Sequence, residues 1–145
     1  MTDVQATWQR GRVVATEPAA DGIRRIEIET DLAVRAEPGS HVDVRIGREI
    51  KDVRSYSIAD ASPDGRRLTL GIHLSPTSRG GSSHMHSLTA GDDVELTTPL
   101  QNFPLRVGAQ RYVLLAGGVG ITAIAATAAT LRRVGADYTL VFAAR

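Results

Sequence analysis

The spacing of apolar residues changes near Arg111, and this change most constrains the fold. Before Arg111, short segments alternate apolar and polar residues; after it, apolar residues form continuous runs and then recur at helical spacing. Alternation is typical of strands with one buried face, and continuous apolar runs are typical of strands buried on both faces. The sequence therefore predicts two different kinds of sheet in one chain.

The alternating part contains short predicted strands separated by turn signals, such as Asp64 followed by Gly65. Six strands are predicted, at residues 11–17, 23–30, 41–47, 53–59 and 67–73 and around Val94 and Leu96. Short strands with turns between them are typical of a small antiparallel barrel or sandwich with Greek-key connections. We expect residues 1–108 to form this β domain.

The second part of the sequence predicts one βαβ unit. Residues 112–116 and 138–144 are apolar strands, and residues 121–135 between them have helical spacing and end at Gly135. One helix cannot cover both faces of a two-stranded parallel sheet. We therefore expect residues 109–145 to be the incomplete start of an α/β domain, in which the apolar strand at 138–144 could also mediate self-association.

Composition excludes several classes of function. The chain has 145 residues, a net charge of +1 with dispersed charges, and no cysteine. It therefore lacks a general attraction to nucleic acid or acidic membranes, and it cannot form a disulfide or hold an iron–sulfur cluster through its own thiolates. No apolar run reaches spanning length and the N-terminus lacks a signal-peptide pattern, so we expect a cytoplasmic protein.

A glycine-rich turn separates the first apolar strand from the helix. Gly118, Gly120 and Ala123 fit the form G-x-G-x-x-G/A. Glycines at this point let a pyrophosphate approach the backbone N–H groups at the helix start. The alternative interpretation is a turn whose glycines serve only close packing of helix on strand.

A second glycine site lies at residues 79–82, R-G-G-S, where Ser82 or Ser83 is the predicted N-cap of a short helix reaching Leu88. Taken alone, it could be an ordinary polar hairpin loop. If it converges with Arg54, the two segments form a phosphate site. The histidines at 84 and 86 do not predict a metal site, because residues two apart on a helix point in different directions.

The motifs together resemble the ferredoxin–NADP reductase-like superfamily, and within it the phthalate dioxygenase reductase and vanillate demethylase reductase group. The resemblance rests on R-S-Y-S at 54–57, R-G-G-S at 79–82 with Met85 and His86, G-D at 91–92, Pro99 with N-F-P-L at 102–105, and L-A-G-G-V-G-I-T at 115–122. It implies a six-stranded antiparallel flavin-binding barrel followed by a nicotinamide-binding α/β domain.

The resemblance also implies roles for individual residues. Arg54 binds the flavin phosphate, Tyr56 lies along the flavin, and Ser57 sits near the flavin N5. The implied lining strand and phosphate loop comprise Ile72, His73, Leu74, Arg79, Gly80, Gly81 and Ser82. Gly118 and Gly120 face the dinucleotide, and Thr122 borders the junction of flavin and nicotinamide. Ser57 and Thr122 are therefore the implied catalytic residues.

The implied reaction is hydride transfer from NADH to flavin N5, followed by single-electron transfer to a plant-type [2Fe–2S] centre and an oxygenase. FMN is the favoured cofactor and FAD the competitor, while NADH and NADPH both stay open. Because the chain has no cysteine, the electron acceptor has to be a ferredoxin domain or an oxygenase component outside these residues. A non-catalytic flavin-binding or assembly module is the alternative function.

Overall fold

The computed structural model describes residues 6–47, 52–74, 80–101, 103–106, 108–117 and 121–143. The described residues form the strands β1 Trp8–Ala20, β2 Ile23–Thr30, β3 Ser40–Ile46, β4 Asp52–Ala61, β5 Arg67–His73, β6 Asp93–Thr97, β7 Leu100–Gln101, β8 Tyr112–Gly117 and β9 Tyr138–Ala143. The helices are α1 Gly81–Ser87 and α2 Ile121–Arg133. None of the helices in these ranges is long and apolar enough to cross a membrane.

The first six strands form a closed antiparallel barrel, as predicted. Their order is β4-β5-β2-β1-β6-β3, and pairing of β3 with β4 closes the ring. Closure removes the open sheet edges that an unclosed sheet would expose. The sequence prediction did not include β7, a short strand that pairs with β3 through Ser40 opposite Gln101.

The barrel interior is filled by the apolar members of the alternating strands. Ile26, Ile28, Leu68, Leu70 and Leu96 are among the fully buried side chains. Burying a side chain of this size contributes roughly 1.5–3 kcal/mol each. Helix α1 extends the same core, because its Met85 and the following Leu88 belong to the buried cluster. The short helix is thus anchored to the barrel.

The chain after the barrel forms the predicted βαβ unit, with β8 and β9 parallel and in register from Tyr112 opposite Tyr138. Helix α2 ends at Arg133 and is followed by Gly135, which has the left-handed φ of 71° expected after a helix. The prediction that β8 is buried on both faces was wrong, since Val113 is 62% and Leu115 69% exposed. The reason is that α2 covers only one face of this sheet, with Ile124 and Leu131 among its buried residues.

Candidate functional site

Strands β4 and β5 pair along only part of their length. Their pairing runs from Ile58 opposite Leu70 to Ala61 opposite Leu68, with an irregularity between Ile58 and Asp60. Among the described residues it does not extend to residues 54–57 of β4 and 71–73 of β5, although β4 stays paired to β3 there. Two of the predicted site segments therefore face each other where the barrel wall is not closed by a ladder.

Arg54 and the start of α1 converge, which meets the condition for the two segments to form a phosphate site. A Cβ atom added to Gly81 would lie 3.0 Å from Arg54 Cγ and 3.1 Å from Arg54 Nε. The arginine thus lies directly across the backbone of the helix start. Only a residue without a side chain leaves this space to the guanidinium stem. The arrangement places a half-buried cation beside the N–H groups of the first helical turn.

The cap of α1 differs from the prediction. Gly80, with φ 104°, is the N-cap, and the helix begins at Gly81. Ser82 and Ser83, the predicted caps, are inside the helix. Within the part of the chain that the structure describes, no side chain caps the helix start. A left-handed glycine turns the chain sharply into the helix, so the turn is made two residues earlier than a serine cap would make it.

Tyr56 and Arg54 share one face of β4. They pair across the ladder with Val42 and Val44, which are fully buried. Because directly opposite residues of an antiparallel pair lie on the same face, both side chains point to the barrel side at its unpaired edge. Tyr56 packs partly against the core. Burial raises the pKa of its phenol, and the Arg54 charge partly opposes this rise.

Ser57 and Ser55 lie on the other face of β4. Ser57 is opposite His41, and the hydroxyl of Ser55 donates to Asp43 Oδ1 across the ladder. The sequence gives no role for Ser55 in the R-S-Y-S motif. In the structure it forms a cross-strand hydrogen bond. Ser57 therefore points away from Tyr56, and the two candidates contact a ligand only if it extends along the open edge of the strand.

On β5, the predicted residues fall into two groups. Ile72 is buried, and its carbonyl oxygen lies 2.7 Å from His86 Nε2 of α1, so this backbone group is already in a hydrogen bond. His73 and Leu74 are exposed. The Ile72 carbonyl thus helps to hold α1 against β5, while His73 and Leu74 stay accessible.

Thr122, in the first turn of α2, reaches the same part of β5. Its Cγ2 atom would lie 2.7 Å from a Cβ atom at Gly71. Gly71 and His73 share the outer face of β5, since side chains alternate along a strand. The helix start of the βαβ unit therefore rests on β5 beside the unpaired edge.

Three predicted residues, Arg79, Gly118 and Gly120, lie outside the described residues. Two further residues of this region are absent from the predicted set: Asp52, whose carboxylate pairs with Arg54, and Gly71, which admits Thr122. Asp52 could have been found, because residues two apart on a strand lie on one face. The importance of Gly71 depends on a contact between distant segments, for which a local pattern gives no signal.

A separate cleft of about 400 Å³ lies between α2 and the barrel. It is lined by the segment from Arg35 to Pro38, by the end of β4 and by Ala126, Ala129, Thr130 and Arg133. None of the predicted site residues is among its lining. Groups of three or more side chains able to hold a metal ion are not found among the described residues.

No protein-family model matches the chain. Over 110 residues it is 41% identical to the reductase subunit of tert-butanol monooxygenase / tert-amyl alcohol desaturase from Aquincola tertiaricarbonis, covering 74% of this chain and 32% of that protein. It is 36% identical over 113 residues to a vanillate O-demethylase oxidoreductase from Pseudomonas putida, covering 77% and 35% of the two chains. The chain thus spans about a third of the length of these relatives.

Among solved structures, phthalate dioxygenase reductase matches with a TM-score of 0.83 and 28% identity, covering 95% of this chain and 44% of that one. That protein is described as modular, transferring electrons from pyridine nucleotides to [2Fe–2S]. Full-length CYP116B46 from Tepidiphilus thermophilus matches with a TM-score of 0.87 and 28% identity, covering all of this chain and 21% of that chain. The barrel and the βαβ unit recur together in both.

Proposed function

Because the chain belongs to the ferredoxin–NADP reductase-like superfamily, in the phthalate dioxygenase reductase and vanillate demethylase reductase group, we propose that it is the flavin-binding portion of an NAD(P)H-dependent reductase. The complete protein would pass electrons through FMN to an iron–sulfur centre or oxygenase partner. The observation that carries the proposal is the position of Arg54 against Gly81, on the strand that also bears Tyr56.

The residues fit a flavin phosphate. Arg54 offers a guanidinium fork, and the bare Gly81 backbone leaves room for it beside the first turn of α1. Helix starts carry N–H groups without intrahelical acceptors, which favour an anion. We assign the phosphate to Arg54, Gly80, Gly81 and Ser82, with Arg79 as a further donor by resemblance.

The spacing along β4 fits the ribityl phosphate that FMN and FAD share. Arg54 and Tyr56 are two residues apart on one face, a separation of about 7 Å on a strand. A sugar-alcohol chain of that order connects the ring of FMN to its terminal phosphate. Tyr56 would then offer its ring face to the flavin. FAD, which places a second phosphate and a nucleoside beyond the first, is the competing cofactor.

A bound flavin would supply the conversion between a two-electron hydride donor and one-electron acceptors. In this assignment Ser57 offers its hydroxyl near the flavin N5, and Thr122 borders the place where nicotinamide meets the ring. Ile72, His73 and Leu74 are assigned by resemblance to the strand that lines the flavin ring, with His73 and Leu74 at its accessible edge. Gly118 and Gly120 are assigned to the nicotinamide dinucleotide by resemblance.

Fluorescence titration with FMN, FAD and riboflavin tests the proposal. FMN quenching that saturates at one equivalent per chain, with riboflavin binding more weakly, is the expected result. If excess protein quenches the fluorescence of neither FMN nor FAD, the proposal that this chain binds a flavin nucleotide is wrong. NADH oxidation with ferricyanide then separates a reductase from a non-catalytic flavin-binding module.

A second candidate function is assembly through the βαβ unit. The uncovered face of its sheet carries Val113 and Leu115, which are 62% and 69% exposed, together with Val141 of β9. Exposed apolar patches of this kind commonly mark interaction sites. Light scattering of the purified chain tests it, since a strictly monomeric mass at high concentration would count against self-association.

A further inference from the structure

Arg54 already has an anionic partner inside the chain. Its Nη1 atom lies 2.6 Å from Oδ2 of Asp52, and it also donates to the carbonyl oxygen of Val53 at 3.0 Å. Asp52 and Arg54 are two residues apart on β4, so their side chains lie on one face of the strand. The Asp52 carboxylate therefore pairs with the same Arg54 guanidinium that we assign to the flavin phosphate.

The carboxylate of Asp52 is held by more than the arginine. Its Oδ1 atom accepts a hydrogen bond from the backbone N–H of Val53 at 2.9 Å. This hydrogen bond, followed by the one from Arg54, lowers the pKa of Asp52 below its ordinary value. Asp52 is thus ionised at neutral pH and oriented with its second oxygen toward Arg54.

Resting on the proposed function, we propose that Asp52 is an internal competitor for the flavin phosphate and tunes the affinity of the site. The carboxylate of Asp52 occupies a hydrogen-bonding position on the Arg54 guanidinium that an anionic ligand would also use. An incoming phosphate has to displace it or bind next to it. Either way, one negative charge of the chain opposes the charge of the ligand.

Two opposing effects decide whether Asp52 strengthens or weakens phosphate binding. An Asp–Arg pair can preorganise the arginine, but pairs as exposed as this one, with side chains 34% and 55% accessible, contribute little. A phosphate monoester carries close to two negative charges at neutral pH, so its repulsion from a carboxylate sharing one guanidinium is the larger effect. Removing the charge of Asp52 should therefore strengthen phosphate binding.

Repulsion by Asp52 should also discriminate between flavins. FMN ends in a dianionic monoester, whereas each phosphate of the FAD diphosphate carries a single charge. Riboflavin has no phosphate. The gain on removing the Asp52 charge should therefore be largest for FMN, smaller for FAD and absent for riboflavin.

Asp60 provides a matched control on the same strand. Its Oδ1 atom accepts the N–H of the next residue, Ala61, at 2.9 Å, which is the same local hydrogen bond that Asp52 makes to Val53. It lies eight residues further along β4, on the order of 25 Å from Asp52. Asp60→Asn removes the same charge without touching Arg54.

The experiment measures the dissociation constants of FMN, FAD and riboflavin for the flavin-stripped full chain and for its Asp52→Asn, Asp52→Ser and Asp60→Asn variants. Both Asp52 variants should bind FMN about five- to tenfold more tightly, with riboflavin affinity unchanged and Asp60→Asn like the parent. The FMN gain should shrink as salt is raised, since screening weakens repulsion between exposed charges.

Two results would overturn the inference in distinguishable ways. If the parent binds FMN and the Asp52 variants bind it equally or more weakly, Asp52 is not a competitor, although the flavin assignment stands. If none of the chains binds FMN or FAD, the proposed function itself fails and the role of Asp52 fails with it. An equal gain for riboflavin would also contradict the inference, because that ligand offers no charge to repel.

Discussion

The Cγ2 atom of Thr122 lies 2.7 Å from the position that a Cβ atom would occupy at Gly71. The first turn of α2 can rest on β5 only because residue 71 has no side chain. This contact sets how closely the βαβ unit approaches the barrel strand that precedes His73. It is therefore the structural link between the two parts of the proposed site.

Gly71→Ala should destabilise the protein by about 1–3 kcal/mol, the usual cost of adding a methyl group to a filled space. Thr122 has a branched side chain with few alternative rotamers, so it cannot move aside easily. The free energy of unfolding from urea titration measures the effect.

A double-mutant cycle identifies the cause of that destabilisation. Thr122→Ser removes only the Cγ2 methyl group, so Gly71→Ala combined with Thr122→Ser should recover most of the lost stability. Strictly additive effects of the two substitutions would show that the contact does not limit the approach of α2.

Arg54→Ala should weaken FMN binding about tenfold to a hundredfold, because a charge-assisted hydrogen bond contributes roughly 1.5–3 kcal/mol. Riboflavin affinity should change little. Arg67→Ala is the control, since Arg67 is an exposed arginine on β5 that pairs with Glu29. Equal losses in the two variants would indicate a general charge effect instead of a phosphate contact.

Gly81→Ala should change FMN affinity without changing the stability of the fold. The new Cβ atom would lie 3.0 Å from Arg54 Cγ and 3.2 Å from Ile46 Cδ1, so the arginine stem has to shift. Alanine favours a helix over glycine by roughly 1 kcal/mol, which offsets the crowding. We expect weaker FMN binding at nearly unchanged melting temperature, whereas Ser83→Ala, at an exposed position of the same helix, should leave binding unchanged.

The raised pKa of Tyr56 predicts a loss of stability in alkali. Burial favours the neutral phenol in the folded chain, so the unfolded chain ionises first as pH rises. The contribution of Tyr56 is complete below the unfolded pKa of about 10 and is lost as pH rises through the folded pKa.

Tyr56→Phe removes this ionisation while keeping the ring. The variant should lose less stability than the parent between about pH 9 and pH 11, as measured by urea unfolding at each pH. If the free energies of unfolding of the two proteins fall in parallel over this pH range, Tyr56 does not contribute to the loss of stability in alkali.

Sequence patterns were sufficient for the barrel, because period-two alternation directly reports which side chains face a core. They were also sufficient for α2, whose apolar spacing and terminal Gly135 follow from helix geometry. They failed for the cap of α1, since a serine and a left-handed glycine are both good helix starts and local sequence does not choose between them. They also failed for the exposed face of β8, because burial depends on what else packs on the sheet.

The candidate site shows the same division. Arg54 and Tyr56 were recognised through a motif, and their shared face follows from strand geometry. The contacts of Arg54 with Gly81 and of Gly71 with Thr122 join segments distant in sequence, and only the folded chain brings them together. Ile72 shows the limit of sequence-based prediction, since its carbonyl oxygen is hydrogen-bonded to His86, a partner that no spacing rule indicates.

Mass spectrometry of the cofactor released from natively purified chain, followed by reconstitution with excess FMN and FAD, tests the central claim most directly. We expect FMN at one equivalent per chain for the parent and a marked loss of retained flavin for Arg54→Ala. A parent chain that releases no flavin and takes up neither nucleotide on reconstitution would contradict it.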